Sequence, residues 1–188
     1  MTMNTLIVSD IFGRTDALEA LAQSLSGHVN ILDPYDSVKP GFSSESEAYE
    51  AFTQSVGMDR YAALVAKTVS RYTKPLTLIG FSAGASAIWI TSDHPAIPSG
   101  STAICFYGSQ IRHWEQINPT IPTHLIFPEH EKHFDVALLM DSLSQKEKVT
   151  VEQVPYLHGF MNKQSMQFNH KGYHAFIQQL SHKGRSNK

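Results

Sequence analysis

The segment Leu76–Ile90, "LTLIGFSAGASAIWI", decides the fold predicted for this chain. Its first half is a short apolar run typical of a buried β-strand, and its second half has the small and apolar residues of a tightly packed helix. Between the two halves, two glycines flank Ser82 symmetrically. Gly-x-Ser-x-Gly between a strand and a helix predicts a sharp corner that exposes the serine hydroxyl, because flanking side chains would collide there. A serine that merely caps the helix is the alternative interpretation.

Strand-like and helix-like patterns alternate on both sides of this corner. Asp16 and Glu19 suggest a capping box at the start of one helix, and Tyr61 to Tyr72 is the apolar face of a long helix that follows a polar loop at 37–47. Together these patterns predict an α/β fold, with about six mostly parallel strands, helices on both faces and minimal or no lid. The strand patterns are TLIVSD, VNILDP, LTLIGF, TAICFYG, THLIFP and VTVEQVP.

Composition restricts the classes of function. The chain has 188 residues, a formal net charge of −2 and one cysteine, Cys105. We therefore expect a single domain over residues 1–182 with a frayed basic tail at 183–188, and no nucleic-acid or membrane partner. The lone cysteine excludes an internal disulfide framework, and the first residues have no signal-peptide pattern, so we expect a cytoplasmic protein. Its oligomeric state cannot be inferred from these features.

A serine hydroxyl becomes nucleophilic when a histidine removes its proton, so position must select among the 10 histidines. Ligands bind beyond the carboxyl ends of the strands in parallel sheets. His158 follows the last strand pattern and precedes the last helix pattern, which places it at that edge. His158 is therefore the expected base, with a histidine packed under the last helix as the structural alternative.

The orienting acid is expected in "FPEHEKHFD", after the fifth strand pattern. Glu131 is favoured because it lies far enough beyond the strand to curve toward the base. Glu129 and Asp135 remain candidates, although Asp135 resembles the N-cap of the next helix. The order Ser82, Glu131, His158 is the α/β-hydrolase order of nucleophile, acid and base. A metal site using the histidines of this loop, His130 and His133, is a weaker alternative without an HExxH motif or thiolate ligands.

Two backbone amides are expected to stabilise a tetrahedral oxyanion. The amide of Ala83 follows the nucleophile at the start of a helix, and the amide of Ile11 lies in the loop after the first strand. Asp10 lies beside Ile11, where it acts either as a turn residue or in catalysis.

These motifs together resemble the dienelactone hydrolase family of the α/β-hydrolase superfamily. The matching pieces are "DIFG", "GFSAG", "FYG", "FPEHEKHF" and "HGFMN", spread over residues 6–162. The resemblance implies Glu131 as acid, His158 as base, and the amides of Ile11 and Ala83 as oxyanion donors. Ser82 stands where the namesake enzymes have a cysteine, as in esterase-like relatives, and Asn162 stands where they have an arginine.

We therefore expect a serine hydrolase that cleaves small acyl esters, lactones or thioesters without a metal or other cofactor. Its substrate is expected to contact Asp10, Phe12, Arg14 and Tyr107, in an open site bounded also by the loop at 37–47 and Trp114. Cys105 is a rival nucleophile on paper, but its apolar strand predicts a buried thiol. The alternatives are a non-catalytic binding module with this fold and an acyltransferase.

Overall fold

A central parallel sheet organises the computed structural model, which describes residues 4–183, with side chains as far as residue 181. Within that range the sheet has six strands in the order β2-β1-β3-β4-β5-β6, and every neighbouring pair is parallel. The predicted fold class is thereby confirmed. The strands are β1 (Asn4–Val8), β2 (His28–Leu32), β3 (Leu76–Phe81), β4 (Thr102–Phe106), β5 (Thr123–Phe127) and β6 (Val149–Gln153).

Helices connect the strands and cover both faces of the sheet. A short 3₁₀ helix, Ser109–His113, follows β4. The helices are α1 (Asp16–Ser24), α2 (Glu45–Ser55), α3 (Gly57–Val69), α4 (Ala83–Thr91), α5 (Val136–Ser144) and α6 (His170–Lys183).

Successive strand side chains point to opposite faces, so the sheet separates two apolar layers. On one face, Leu78 and Cys105 pack with α2, α3, α4 and α5 around the fully buried Trp89. On the other face, Ile79 and Phe106 pack with α1 and α6. Burial on both sides explains why the central strands are almost continuously apolar.

The predicted end of the polar loop at 37–47 is wrong, because α2 already begins at Glu45. Ser44 is the N-cap of α2, and its hydroxyl accepts a hydrogen bond from the amide of Glu47 at 3.2 Å. The predicted long helix is also divided, because α2 ends before Gly57, whose φ of +71° lies in the left-handed region. Two helices, rather than one helix and a loop, therefore connect β2 to β3.

The predicted capping box of α1 is shifted by one residue. Thr15 is the N-cap, and its hydroxyl accepts from the amide of Leu18 at 3.1 Å. Glu19 instead forms ion pairs with Arg14 and Lys39. Of the predicted tail, residues 184–188 lie outside the described residues. No helix in the described range has the length and apolar character needed to cross a bilayer.

Candidate active site

Ser82 occupies the predicted corner between β3 and α4. Its backbone has φ +51° and ψ −112°, a conformation that residues other than glycine rarely adopt. A Cβ at Gly80 would lie 2.7 Å from the Cα of Ala85, and a Cβ at Gly84 would overlap the carbonyl oxygens of Val8 and Ser9. The two glycines therefore let the helix lie close against the strands, and this packing holds Ser82 in its strained geometry.

The hydroxyl of Ser82 is hydrogen-bonded to the side chain of His158, with 2.9 Å between Oγ and Nε2. These residues are 76 positions apart in the chain. Ser82 follows β3 and His158 follows β6, so the carboxyl edge of the sheet brings them together. When Nε2 is unprotonated it accepts the serine proton, which is the geometry that proton removal from a nucleophile needs.

Glu131 completes the arrangement, because its Oε1 lies 2.7 Å from His158 Nδ1. The Glu131 side chain is 11% exposed and the His158 side chain 28%. Of the three acid candidates, Glu131 alone is bonded to the imidazole in the described part of the chain. Glu129 is exposed and its backbone amide donates to the carbonyl of Tyr156 at 2.8 Å, while Asp135 caps α5 by accepting from the amides of Ala137 and Leu138.

The imidazole of His158 also packs against an aromatic ring. Its centroid lies 5.0 Å from that of Tyr107, which is 1% exposed and follows β4. Tyr107 in turn contacts Phe160 in the loop that carries the histidine, with 5.5 Å between ring centroids. These contacts restrict the imidazole plane, so packing adds to the orienting effect of Glu131.

The turn after β1 fixes the direction of the Ile11 amide. The carbonyl of Asp10 accepts from Ser9 Oγ at 3.0 Å and from the amide of Gly13 at 3.1 Å. A trans peptide points its N–H away from its carbonyl, so these two bonds also set the orientation of the Ile11 N–H. Tyr35 Oη donates to the Ile11 carbonyl at 2.7 Å and fixes the next peptide.

The amide of Ala83 belongs to the first turn of α4. Amides in a first helical turn have no intrahelical acceptor, and among the described residues no side chain caps this helix. Ile11, Ala83 and Ser82 all line the same cleft. The cleft is therefore lined by the serine and by both residues whose amides are expected to stabilise an oxyanion.

This cleft has a volume of about 790 Å³ and contains Ser82, Glu131 and His158. One wall comes from α2 and the α2–α3 junction, with Phe52 and Met58 as apolar residues. The opposite wall comes from the loops after β4 and β5. The open shape of the cleft agrees with the expectation of a site without a large lid. Helix α2 forms one wall, in a place where a loop was expected.

The four residues predicted to contact substrate are not among those that line this cleft, and their contact with substrate stays a prediction. Arg14 forms an ion pair with Glu19 at 2.9 Å. Phe12 is buried in the protein interior, and Tyr107 packs beneath His158. Asp10 lines a separate cavity of about 20 Å³. Trp114 packs on the core beside α4, and its carbonyl accepts from Trp89 Nε1 at 2.9 Å.

Asp10 is held between two loops that carry site residues. Its Oδ1 accepts from the amide of Phe12 at 2.9 Å, and its Oδ2 accepts from Asn162 Nδ2 at 2.7 Å. Burial raises the pKa of the Asp10 carboxyl from 3.8 to about 6, although both hydrogen bonds and the nearby His158 lower it. Glu45 adds a smaller upward effect. Asp10 thus serves the turn and acts on the imidazole only through space.

The remaining candidates do not form a second reactive centre. His130 and His133 are exposed on the cleft rim, and residues 4–183 contain no group of three histidine, cysteine or acidic side chains suited to a metal. Cys105 is buried, and burial raises the pKa of its thiol well above the ordinary value. Since the thiolate is the reactive form, this cysteine is inert at neutral pH.

The residues that shape the cleft were not predicted from the sequence, above all Phe52 on α2 and Arg112 in the 3₁₀ helix. A local signal for α2 was present, because Ser44 and Glu47 have the spacing of a capping box. No comparable signal exists for Arg112, whose surroundings come from a loop 22 positions further along the chain.

Comparison with solved structures identifies the fold as that of the α/β-hydrolase superfamily. An α/β-superfamily hydrolase from Xanthomonas campestris has a TM-score of 0.61 at 12% identity, covering 98% of this chain and 99% of that chain. A lipase-esterase related protein from Clostridium acetobutylicum has a TM-score of 0.59 at 13% identity, with 94% of each chain covered. YbtT, a type II thioesterase from the yersiniabactin pathway, has a TM-score of 0.60 at 12% identity, covering 98% and 95%.

A sequence relative identifies the family. The chain is 35% identical over 147 residues to the uncharacterized protein YczH of Bacillus subtilis (strain 168), covering 72% of this chain and 71% of YczH. The chain therefore belongs to the YczH family. No protein-family model matches the sequence.

Proposed function

We propose that this protein is a serine hydrolase that cleaves small acyl esters, lactones or thioesters through an acyl-serine intermediate. The observation that carries the proposal is the continuous hydrogen-bonded relay in which Ser82 Oγ lies 2.9 Å from His158 Nε2 and His158 Nδ1 lies 2.7 Å from Glu131 Oε1. A helix cap needs no such relay. Each distance lies within the range required for proton transfer to and from a nucleophile.

In the proposed reaction, Ser82 Oγ attacks the acyl carbon while His158 Nε2 takes the hydroxyl proton. The tetrahedral intermediate collapses, the bond to the leaving group breaks, and His158 returns the proton to that group. Water then attacks the acyl-serine with the same histidine as base, which releases the acid and restores the hydroxyl. Glu131 holds the imidazole through Nδ1 and stabilises its protonated form.

The amides of Ile11 and Ala83 are the proposed donors to the oxyanion. An oxyanion donor of this kind contributes about 10²–10³-fold in rate when it is correctly aimed. The hydrogen bonds that fix the Asp10 carbonyl support this role for Ile11, since they set the amide before any substrate binds. The helical position of Ala83 supports the same role, because the N-terminus of α4 favours negative charge.

The structural neighbours give independent but coarser support. Their names include a hydrolase of the α/β superfamily, a lipase-esterase related protein and a type II thioesterase. The last two names indicate hydrolysis at an acyl group and differ in the leaving group, as the proposal allows. The motifs "GFSAG" and "HGFMN", through which the chain resembles the dienelactone hydrolase family, support the same proposal.

The experiment is covalent labelling with a fluorophosphonate, followed by location of the adduct by mass spectrometry. We expect the adduct on Ser82 and its loss in Ser82→Ala. Ser142→Ala, which changes an exposed serine of α5 outside the cleft, is the control and should label normally. Folded protein without an adduct on Ser82 would overturn the proposal and favour a non-catalytic binding module.

A panel of 4-nitrophenyl esters of increasing acyl length then measures turnover in the unlabelled wild-type protein. Hydrolysis predicts that the free acid appears at the same rate as nitrophenol. If added alcohols or amines trap most of the acyl group instead, the protein is an acyltransferase that uses the same relay.

A further inference from the structure

The cleft contains an arginine that the proposed relay does not use. Arg112 lies in the 3₁₀ helix after β4 and lines the cleft together with Ser82 and His158. Its Nη1 donates to the carbonyl of Ser109 at 2.5 Å, and its guanidinium lies 5.2 Å from the ring centroid of Phe134. The side chain is therefore held on an aromatic face in the cleft wall.

Arg112 has no carboxylate partner within the described range. The ion pairs of residues 4–183 involve other cations, and Lys132, which lines the same wall, also has none there. Glu131 is next to Lys132 in the chain, but its carboxylate is hydrogen-bonded to His158. Glu45 also lines the cleft, from α2, and forms no ion pair with Arg112.

A guanidinium has five N–H donors in a planar fork that matches a carboxylate or phosphate. The contacts with Ser109 and Phe134 fix the fork of Arg112 and leave donors unused. A fixed cation that lines the cleft and has no ion-pair partner among the described residues is suited to an anionic group of the ligand.

We propose that Arg112 forms an anion subsite. The acyl substrate would then carry a carboxylate or phosphate in the part that contacts the wall formed by the loops after β4 and β5. This inference rests on the proposed hydrolase function and adds the substrate class. The anion belongs either to the acyl chain or to the leaving group, and the two sources are separable by experiment.

Two matched pairs of substrates test the subsite. The first pair is the mono-4-nitrophenyl ester of glutarate and the neutral 4-nitrophenyl valerate, which place the anion on the acyl side. The second pair is butyryl-phosphopantetheine and the neutral butyryl-pantetheine, which place the anion on the leaving group. In one pair we expect the anionic member to have a kcat/KM about 10–100-fold higher, the range of a hydrogen bond to a charged group.

Variants assign that preference to one side chain. Arg112→Gln should reduce the anionic-to-neutral ratio of kcat/KM toward one, and Arg112→Lys should retain part of it because the charge remains without the fork. Arg60→Gln is the matched control, since Arg60 Nη1 also donates to a backbone carbonyl, that of Ser55 at 3.1 Å, but does not line the cleft. The ratio should be unchanged in that control.

The outcomes separate the two proposals. One outcome overturns the subsite alone: neutral esters are turned over in a Ser82-dependent way, but neither pair shows a preference for its anionic member. A preference that survives Arg112→Gln has the same consequence. Absence of turnover for all four compounds overturns the hydrolase function and the acyl substrate with it. Titration of glutarate and inorganic phosphate into Ser82→Ala and into the double variant with Arg112→Gln measures the subsite without catalysis, and equal affinities would overturn it.

Discussion

Asn162 Nδ2 donates to Asp10 Oδ2 at 2.7 Å, which joins the turn after β1 to the loop that carries His158. The two residues are 152 positions apart in the chain. Asp10 also accepts from the amide of Phe12, so a single carboxylate fixes both the proposed oxyanion turn and the base loop. Sequence analysis allowed Asp10 a role in the turn or in catalysis, and these contacts support a structural role.

The raised pKa of Asp10 gives stability a pH dependence that the ordinary carboxyl would lack. Because the native state keeps this proton up to about pH 6, the residue stabilises the fold most below its unfolded pKa of 3.8. That contribution, up to about 3 kcal/mol, is lost as the pH rises through about 6. Urea unfolding of wild type and Asp10→Asn at pH 4–7 should show the wild type gaining on the variant as the pH falls. A difference in the free energy of unfolding that does not change with pH would contradict this.

Glu131→Gln tests the identity of the acid. The amide cannot stabilise the protonated imidazole, so kcat for the best ester should fall by about 10⁴-fold, as for comparable changes in serine triads. Glu129→Gln is the matched control two positions away, on an exposed side chain, and should change kcat less than twofold, roughly the effect of a neutral surface substitution. If Glu129→Gln lowered kcat more than Glu131→Gln did, the acid would be Glu129.

Tyr61→Phe tests the support beneath the β1 turn. Tyr61 is fully buried, and its hydroxyl donates to the carbonyl of Ser9 at 2.9 Å, so its removal leaves a buried acceptor with one partner fewer. We expect a loss of about 1–2 kcal/mol in the free energy of unfolding. Tyr72→Phe removes a hydroxyl that meets only Asn30 at the surface and should cost less than about 0.5 kcal/mol. Equal losses would show that burial of the Tyr61 hydroxyl contributes nothing.

Gly84→Ala tests the close approach of α4 to the sheet. The added methyl group would overlap the backbone carbonyls of Val8 and Ser9, which cannot move without displacing β1. The expected loss is about 3 kcal/mol or more in the free energy of unfolding. At Gly57 nothing lies within 4 Å of the added methyl, so Gly57→Ala should cost only the backbone strain of its positive φ, about 1–2 kcal/mol. Urea unfolding measures both, and a tolerated Gly84→Ala would contradict the packing.

The sequence predicts those parts of the fold and site that depend on short segments or on sheet topology. Six strand patterns and the corner at Ser82 are local, and the carboxyl edge follows from parallel strands, so the neighbourhood of Ser82 and His158 could be predicted. The course of the acid loop is not local, which is why Glu131 and Glu129 had to remain open. Arg14 pairs with Glu19, a residue that the sequence pattern assigned to a capping box, and Lys39 joins the same carboxylate from a different loop. The cytoplasmic location and the absence of nucleic-acid partners stay predictions.

The separate origins of the reactive groups and of the cleft wall have an evolutionary consequence. The serine, acid and histidine follow β3, β5 and β6, whereas Phe52 and Met58 come from the helical insertion between β2 and β3. Substitutions in α2 would alter which molecules fit while sparing the proton relay. Ligand preference can therefore change through one contiguous stretch of the gene, and a protein engineer could graft a foreign α2 for the same purpose.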